Sequence, residues 1–169
     1  SIGGAVAPLP YCGSYVMAPI AIQIGASKSQ KENIFNEMSS GDKKFGIAFS
    51  EYFGSRNSST INFSNEKING KTIFAIDCDY ATDVLVSDAS GKIGIVSIED
   101  KNIEIVDLIT VDKTRTYKEI KFSDANVEIL ENTKKNIDPI EKALDAGRII
   151  TAADTLGASQ AMLDKAVSY

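Results

Sequence analysis

The 169 residues combine 18 Lys+Arg with 23 Asp+Glu, a formal net charge of −5, and are 43% hydrophobic and 24% charged. Such a chain can bury a real core, contains no apolar run near the roughly 20 residues of a membrane span, and intersperses its charges in a way that argues against a nucleic-acid partner. The count of zero histidines excludes Ser-His and Cys-His nucleophile pairs and His-based zinc or iron sites within these residues, so acid–base chemistry must come from carboxylates, a cofactor or residues elsewhere.

The first texture is helical. "YVMAPIAIQIGA" is an apolar segment that stops at Gly25, and "SKSQKENIFNEMSSG" follows as a second helix. Ser27 with Gln30, or Ser29 with Glu32, has the spacing of a capping box. Ile34, Phe35 and Met38 supply the apolar stripe and Gly41 the stop. The two helices read as an antiparallel hairpin.

From about Lys43 to Leu130 the hydrophobic period becomes two, in "KFGIAFS", "STINFS", "TIFAID", "DVLVSD", "KIGIVSI", "IEIVDL", "TYKEIKF" and "NVEIL". Gly, Asn, Asp and Ser clusters separate these pieces, with "NG" at Asn69 and "SG" at Ser90 read as tight turns. Short strands in such number make a barrel or a sandwich.

Asp138-Pro139-Ile140-Glu141 then opens a long helix, with an N-cap, a proline at the first helical position and a glutamate three residues after the cap. Through "LDAGRIITAADTLGASQAML" small or apolar residues cover most of its circumference, and Gly147, Ala153, Gly157 and Ala161 permit close helix approach. Such a helix needs partners, and Ile149, Leu156 and Met162 are the residues through which association is expected.

Cys12 and Cys78 have no paired spacing, which suits a reducing compartment and partly buried thiols. The chain starts at Ser1 without a charged leader and apolar run, and is read as an internal stretch of a longer, cytoplasmic gene product.

Several patterns, in order, resemble the acyl-CoA dehydrogenase family of flavoproteins. "ASKSQKENIFNEMSSGDKKFGIAFSE" is similar to the family's G-S-x-x-Q-K helix, Gly turn and strand ending in T-E, here Ser50-Glu51. "INGKTIFAIDCDYATDVLV" is similar to G-x-K-x-W/F-I/V-T-N followed by A-D and a strand, with Thr72 for the lysine and Ile76 for the threonine. In "VDKTRTYKEIKFSDANVEIL", Asp112, Thr114, Arg115, Ile120, Phe122 and Val127 fall in register with the family's D-x-T-R and following strand. "LDAGR" matches an Asp and an Arg three apart in the first C-terminal helix, and "AADTLGASQAMLDKAVSY" continues that helix.

The resemblance implies an α+β chain: a helical hairpin ending an N-terminal domain (1–42), a central antiparallel β-barrel (43–131), and the first long helix of a C-terminal bundle (132–169). It further implies FAD, an acyl-CoA thioester substrate, an electron-transfer flavoprotein or similar acceptor, and a homo- or hetero-oligomer. Phe49, Ser50, Phe74, Ala75 and Ile76 take the flavin-binding positions, and Arg56, Asp145 and Arg148 the substrate-binding ones. Arg56 stands in "SEYFGSRNSS", which departs from the family's T-E-P-x-A-G-S-D, and it suits a phosphate or carboxylate, or simply a solvated loop. Asp145 and Arg148 also suit an ordinary i, i+3 ion pair.

No catalytic base is recognisable. Most members carry that glutamate further on, and one subgroup places it one residue before the helix arginine, where this chain has Gly147. Two readings follow: a dehydrogenase whose base lies outside these residues, or a non-catalytic partner subunit of a heteromeric dehydrogenase. Composition alone would give a third, a β binding module flanked by helices.

Overall fold

The computed structural model describes residues 2–5, 7–49, 60–112, 114–131 and 136–169. Helix α1 (Ile2–Ala5) leads through the Pro8 and Pro10 segment to a helical stretch that opens as a π-helix (Gly13–Met17) and continues as α2 (Ala18–Gly25). Pro19 accounts for the π turn. It has no N–H to give and its ring would strike the carbonyl four residues back, so the helix widens just before it and the Ala18 amide bonds to Gly13.

Of the two possible capping boxes, the chain uses Ser27–Gln30. The Gln30 amide donates to the Ser27 hydroxyl and the Ser27 amide to Gln30 Oε1, starting α3 (Lys28–Ser40), which ends at Gly41 in the left-handed conformation. Gln30 Nε2 also donates to the Ile129 carbonyl at 3.0 Å, so the cap ties α3 to the sheet.

The strands are β1 (Phe45–Ala48), β2 (Asn62–Ser64), β3 (Lys67–Ile76), β4 (Asp83–Ser87), β5 (Ile93–Ser97), β6 (Ile103–Asp107), β7 (Tyr117–Asn126) and β8 (Glu128–Ile129). They form one sheet in the order β6-β7-β3-β1-β4-β5-β8, with β2 also on β3. The α+β organisation is as the sequence implies, but the barrel differs in two particulars. β1 and β4 run parallel while the other pairs are antiparallel, and among the described residues β6 and β8 do not pair to close the sheet.

The parallel pair arises because β3 returns antiparallel on one side of β1. Residues 77–82 then carry the chain across the start of β1, so that β4 begins on its other side. Thr82 fastens the crossing, its amide donating to the Lys44 carbonyl at 2.8 Å.

The "NG" at Asn69 is not a turn. The β2–β3 reversal falls at Asn65 and Glu66, which both take positive φ as a type I′ hairpin requires. Gly70 lies inside β3, where a side chain would meet the Thr60 carbonyl. The "SG" at Ser90 does turn, with Asp88 Oδ1 accepting from the Ser90 and Lys92 amides.

Strand alternation divides the core. Phe45, Ile47 and Leu85 face the helices, where they meet Ile22, Ile34, Ile140 and Leu144. Ala48, Val84 and Val86 face the opposite side, against Ile68, Ile120 and Phe122. Thus β1 and β4 are buried on both faces.

Helix α4 (Pro139–Ser168) starts as expected, Asp138 accepting from the Ile140 and Glu141 amides. It packs against α1, α2 and the π-helix. A side chain at Gly157 would press on the α1 backbone at Gly4, and one at Gly147 on Met17 Sδ. Beyond Gly147 the opposite face is bare: Ile149, Leu156 and Met162 are 68%, 71% and 68% exposed. No described helix is long and apolar enough to cross a membrane.

At the crossing, a Cβ on Gly46 would lie 2.5 Å from Cys78 Sγ. Gly46→Ala is therefore expected to cost about 1–3 kcal/mol, and Cys78→Ala to recover part of that loss in a double-mutant cycle of urea denaturation. Ser87 is fully buried and its hydroxyl is unpartnered among the described residues. Removing it by Ser87→Ala should leave stability unchanged or raise it by about 1 kcal/mol, because the hydroxyl's desolvation goes uncompensated.

Candidate functional site

A cleft with a cavity volume of about 340 Å³ opens where four segments converge: the proline-punctuated stretch before the π-helix, the exit of β3, the loop entering β7, and the middle of α4. Its apolar wall includes Leu9, Ile76 and Ile150, its aromatic groups include Tyr80 and Tyr117, and its charged groups are Asp77, Asp79, Arg115 and Asp154.

Each charged group is committed to the scaffold. Asp77, with φ +58°, turns the chain out of β3 and accepts from the Gly13 and Ser14 amides at 2.6 and 3.2 Å. Its carboxylate caps the π-helix from outside. Burial pushes its pKa above the usual carboxylate range, and the two amide bonds and Arg115 offset this only in part. Asp79 is held below the usual range by hydrogen bonds from Lys118 and Thr116. Desolvation acts against the Lys118 charge, but Asp107 and Asp79 together raise its pKa. Arg115 reaches Asp154 of α4 at 3.2 Å, closing the wall between sheet and helix.

The thiols are protonated at neutral pH. Burial pushes Cys78 up to about 12 and also raises Cys12, so neither has nucleophile character. Among the described residues no group of three or more Cys, Asp or Glu is placed to hold a metal ion.

Phe74 stands just outside the cleft. From Thr72 to Ala75, β3 advances three residues while its partner β7 advances two, from Ile120 to Lys118, so an extra residue bulges out of the ladder. Phe74 takes φ +58° there, a conformation that costs an aromatic residue about 1–3 kcal/mol. The residue remains 53% exposed and its ring meets Tyr117 edge to face, with centroids 6.3 Å apart and planes at 84°.

Of the other residues singled out from sequence, Ile76 lines the cleft, while Ala75 is fully buried in the core on the far side of the sheet. Phe49 is buried in the core on the helix side. Asp145 and Arg148 form an exposed ion pair at 2.7 Å, on α4 but outside the cleft lining, with Lys142 also on Asp145. Ser50, Glu51 and Arg56 lie outside the described residues. Sequence reasoning passed over Tyr117, Asp77 and the Arg115–Asp154 bridge. The one available signal was the aromatic residue directly after "TRT", since the bridge joins residues 39 apart.

No protein-family model and no curated protein matches the chain. Solved structures do. Butyryl-CoA dehydrogenase from Megasphaera elsdenii superposes with a TM-score of 0.76 at 21% identity, over 94% of this chain and 46% of that one. A glutaryl-CoA dehydrogenase from Mycobacterium smegmatis, in complex with FADH2, gives 0.73 at 13% identity, over 91% and 44%. A chain from a study of the electron transferring flavoprotein of Acidaminococcus fermentans gives 0.71 at 21% identity, over 91% and 45%. The fold is therefore shared with acyl-CoA dehydrogenases, and the chain spans less than half the length of these three structures.

Asp77→Ala strands two buried amides and should cost about 1–3 kcal/mol, whereas Asp77→Asn keeps an acceptor and should cost far less. Because the folded pKa of Asp77 lies above its unfolded value, its contribution to stability falls as pH rises from the ordinary carboxylate pKa through the raised one. Denaturation midpoints across that window should show a component of decline with pH in the wild type that Asp77→Asn removes.

Proposed function

We propose that this chain is the flavin-facing part of an FAD-dependent oxidoreductase of the acyl-CoA dehydrogenase type, acting on the CH–CH bond of an acyl-CoA thioester. The observation that carries the reading is the strained, solvent-facing Phe74 at the mouth of an aromatic and apolar cleft, in a fold shared with flavin-dependent dehydrogenases. An exposed aromatic on a strained backbone gains little for stability and is what a planar ligand would use.

The residues present suit the ring of a flavin. Phe74 offers an aromatic face and Ile76 continues an apolar wall into the cleft. They do not by themselves suit its pyrophosphate, because the one cation among the described cleft-lining residues, Arg115, is neutralised by Asp154. Phosphate charge would be met by other residues, with Arg56 as a candidate from the sequence and Asp145 and Arg148 as candidates for the CoA portion, while Ser50 is a candidate hydrogen-bond partner of the flavin. When bound, FAD supplies the two-electron chemistry of taking a hydride from carbon. The chain's own part is to seat the ring on Phe74, keep water from its apolar side, and orient the thioester. An electron-transfer flavoprotein or similar acceptor, oligomeric assembly and a cytoplasmic setting belong to the same proposal.

A second reading, a non-catalytic partner subunit, is favoured by two observations. The cleft carboxylates Asp77, Asp79 and Asp154 each have fixed partners, and a side chain at Gly147 would run into Met17 Sδ at 2.9 Å. A base at that helix position would require Met17 to shift, and none of the described cleft carboxylates is free to take its place.

Anaerobic titration of the full-length, flavin-loaded protein with an acyl-CoA panel separates the two. Bleaching of the flavin absorbance by one acyl class is expected for the dehydrogenase. Bound flavin that no acyl-CoA bleaches supports the partner subunit, and a protein that takes up no FAD overturns the flavin assignment.

A further inference from the structure

We propose that Tyr117 is the positioning residue of the aromatic wall: from the neighbouring strand it holds the Phe74 ring in the orientation on which a planar ring system stacks. This rests on the flavin reading above and adds to it a residue that reading does not contain.

Burial is what gives an aromatic pair most of its packing energy. Here Phe74 keeps half its surface in solvent and sits on a left-handed backbone inside a strand, while Ala75 beside it takes the core position. The bulge between Thr72 and Ala75 thus turns the ring outward at the expense of regular pairing. A ring presented this way needs a fixed orientation to be of use to a ligand, and Tyr117 supplies it at 6.3 Å and 84°, a geometry that rings favour electrostatically.

Tyr117 is itself firmly placed. It pairs with Ile76 across β3 and β7, and its carbonyl accepts from the Leu108 amide at 2.8 Å. The next residue, Lys118, is clamped by Asp79 and Asp107. Tyr117 and Ile76 also line the cleft, so Tyr117 joins the exposed Phe74 ring to the cavity wall.

The test measures FAD affinity by fluorescence quenching, and the visible circular dichroism of the bound flavin, in the intact protein and in Phe74→Leu, Tyr117→Phe, Tyr117→Leu and the Phe74→Leu/Tyr117→Leu pair. Tyr117→Phe should behave as wild type. Tyr117→Leu should raise the Kd for FAD roughly 2- to 10-fold and flatten the dichroism, and the double change should add little to Phe74→Leu. If Tyr117→Leu does not fold, as judged by its far-ultraviolet spectrum, Tyr117→Met replaces it. Were Phe74→Leu to weaken FAD while Tyr117→Leu left affinity and dichroism unchanged, or were the two losses simply to add, the positioning role would be wrong and the flavin reading would stand. A wild type that binds no FAD, or a Phe74→Leu protein that binds it normally, would overturn the flavin reading itself.

Discussion

The crossing over the start of β1 organises most of this molecule. β1 lies in the core, where its backbone amides and carbonyls need a strand on each edge, and the chain leaving β3 passes over Gly46 to supply the second. Gly46 allows Cys78 to lie directly on the strand, and Thr82 fastens the end of the passage to Lys44. The same short stretch delivers Asp77 to the π-helix amides and Ile76, Asp79 and Tyr80 to the cleft. The topological solution for the core and the geometry of the site are thus one piece of backbone.

Charge in the cleft serves architecture before it serves a ligand. Asp77 holds the π-helix, Asp79 and Asp107 hold Lys118, and Asp154 holds Arg115, so four segments distant in sequence are cross-braced around one cavity. What remains free to meet a ligand is the aromatic and apolar surface, from Phe74 through Tyr117 to Ile76.

Much of the fold was legible because its signals are local. The capping box at Ser27, the Asp138-Pro139 helix start and the period of two across β4 and β5 each depend on a few adjacent residues, and each forms as read. The errors came where tertiary contact overrides a local motif. Asn69-Gly70 is a strong hairpin dipeptide, yet the close passage of Thr60 spends that glycine inside a strand. The parallel pairing of β1 with β4 was invisible for the same reason, since side-chain alternation does not encode strand direction.

For the candidate site, sequence patterns singled out β3 and Phe74 but not their environment. The sequence by itself determined the order of helices and strands and, within these residues, the exclusion of histidine chemistry, because composition and periodicity act residue by residue; that β1 and β4 are buried on both faces emerged only in the fold. Only the tertiary structure decided that Phe74 would be strained and exposed while Ala75 sank into the core, that Tyr117 would stand against it, and that Arg115 would be claimed by Asp154. Those outcomes depend on a one-residue bulge and on contacts between segments tens of residues apart, which no local pattern carries.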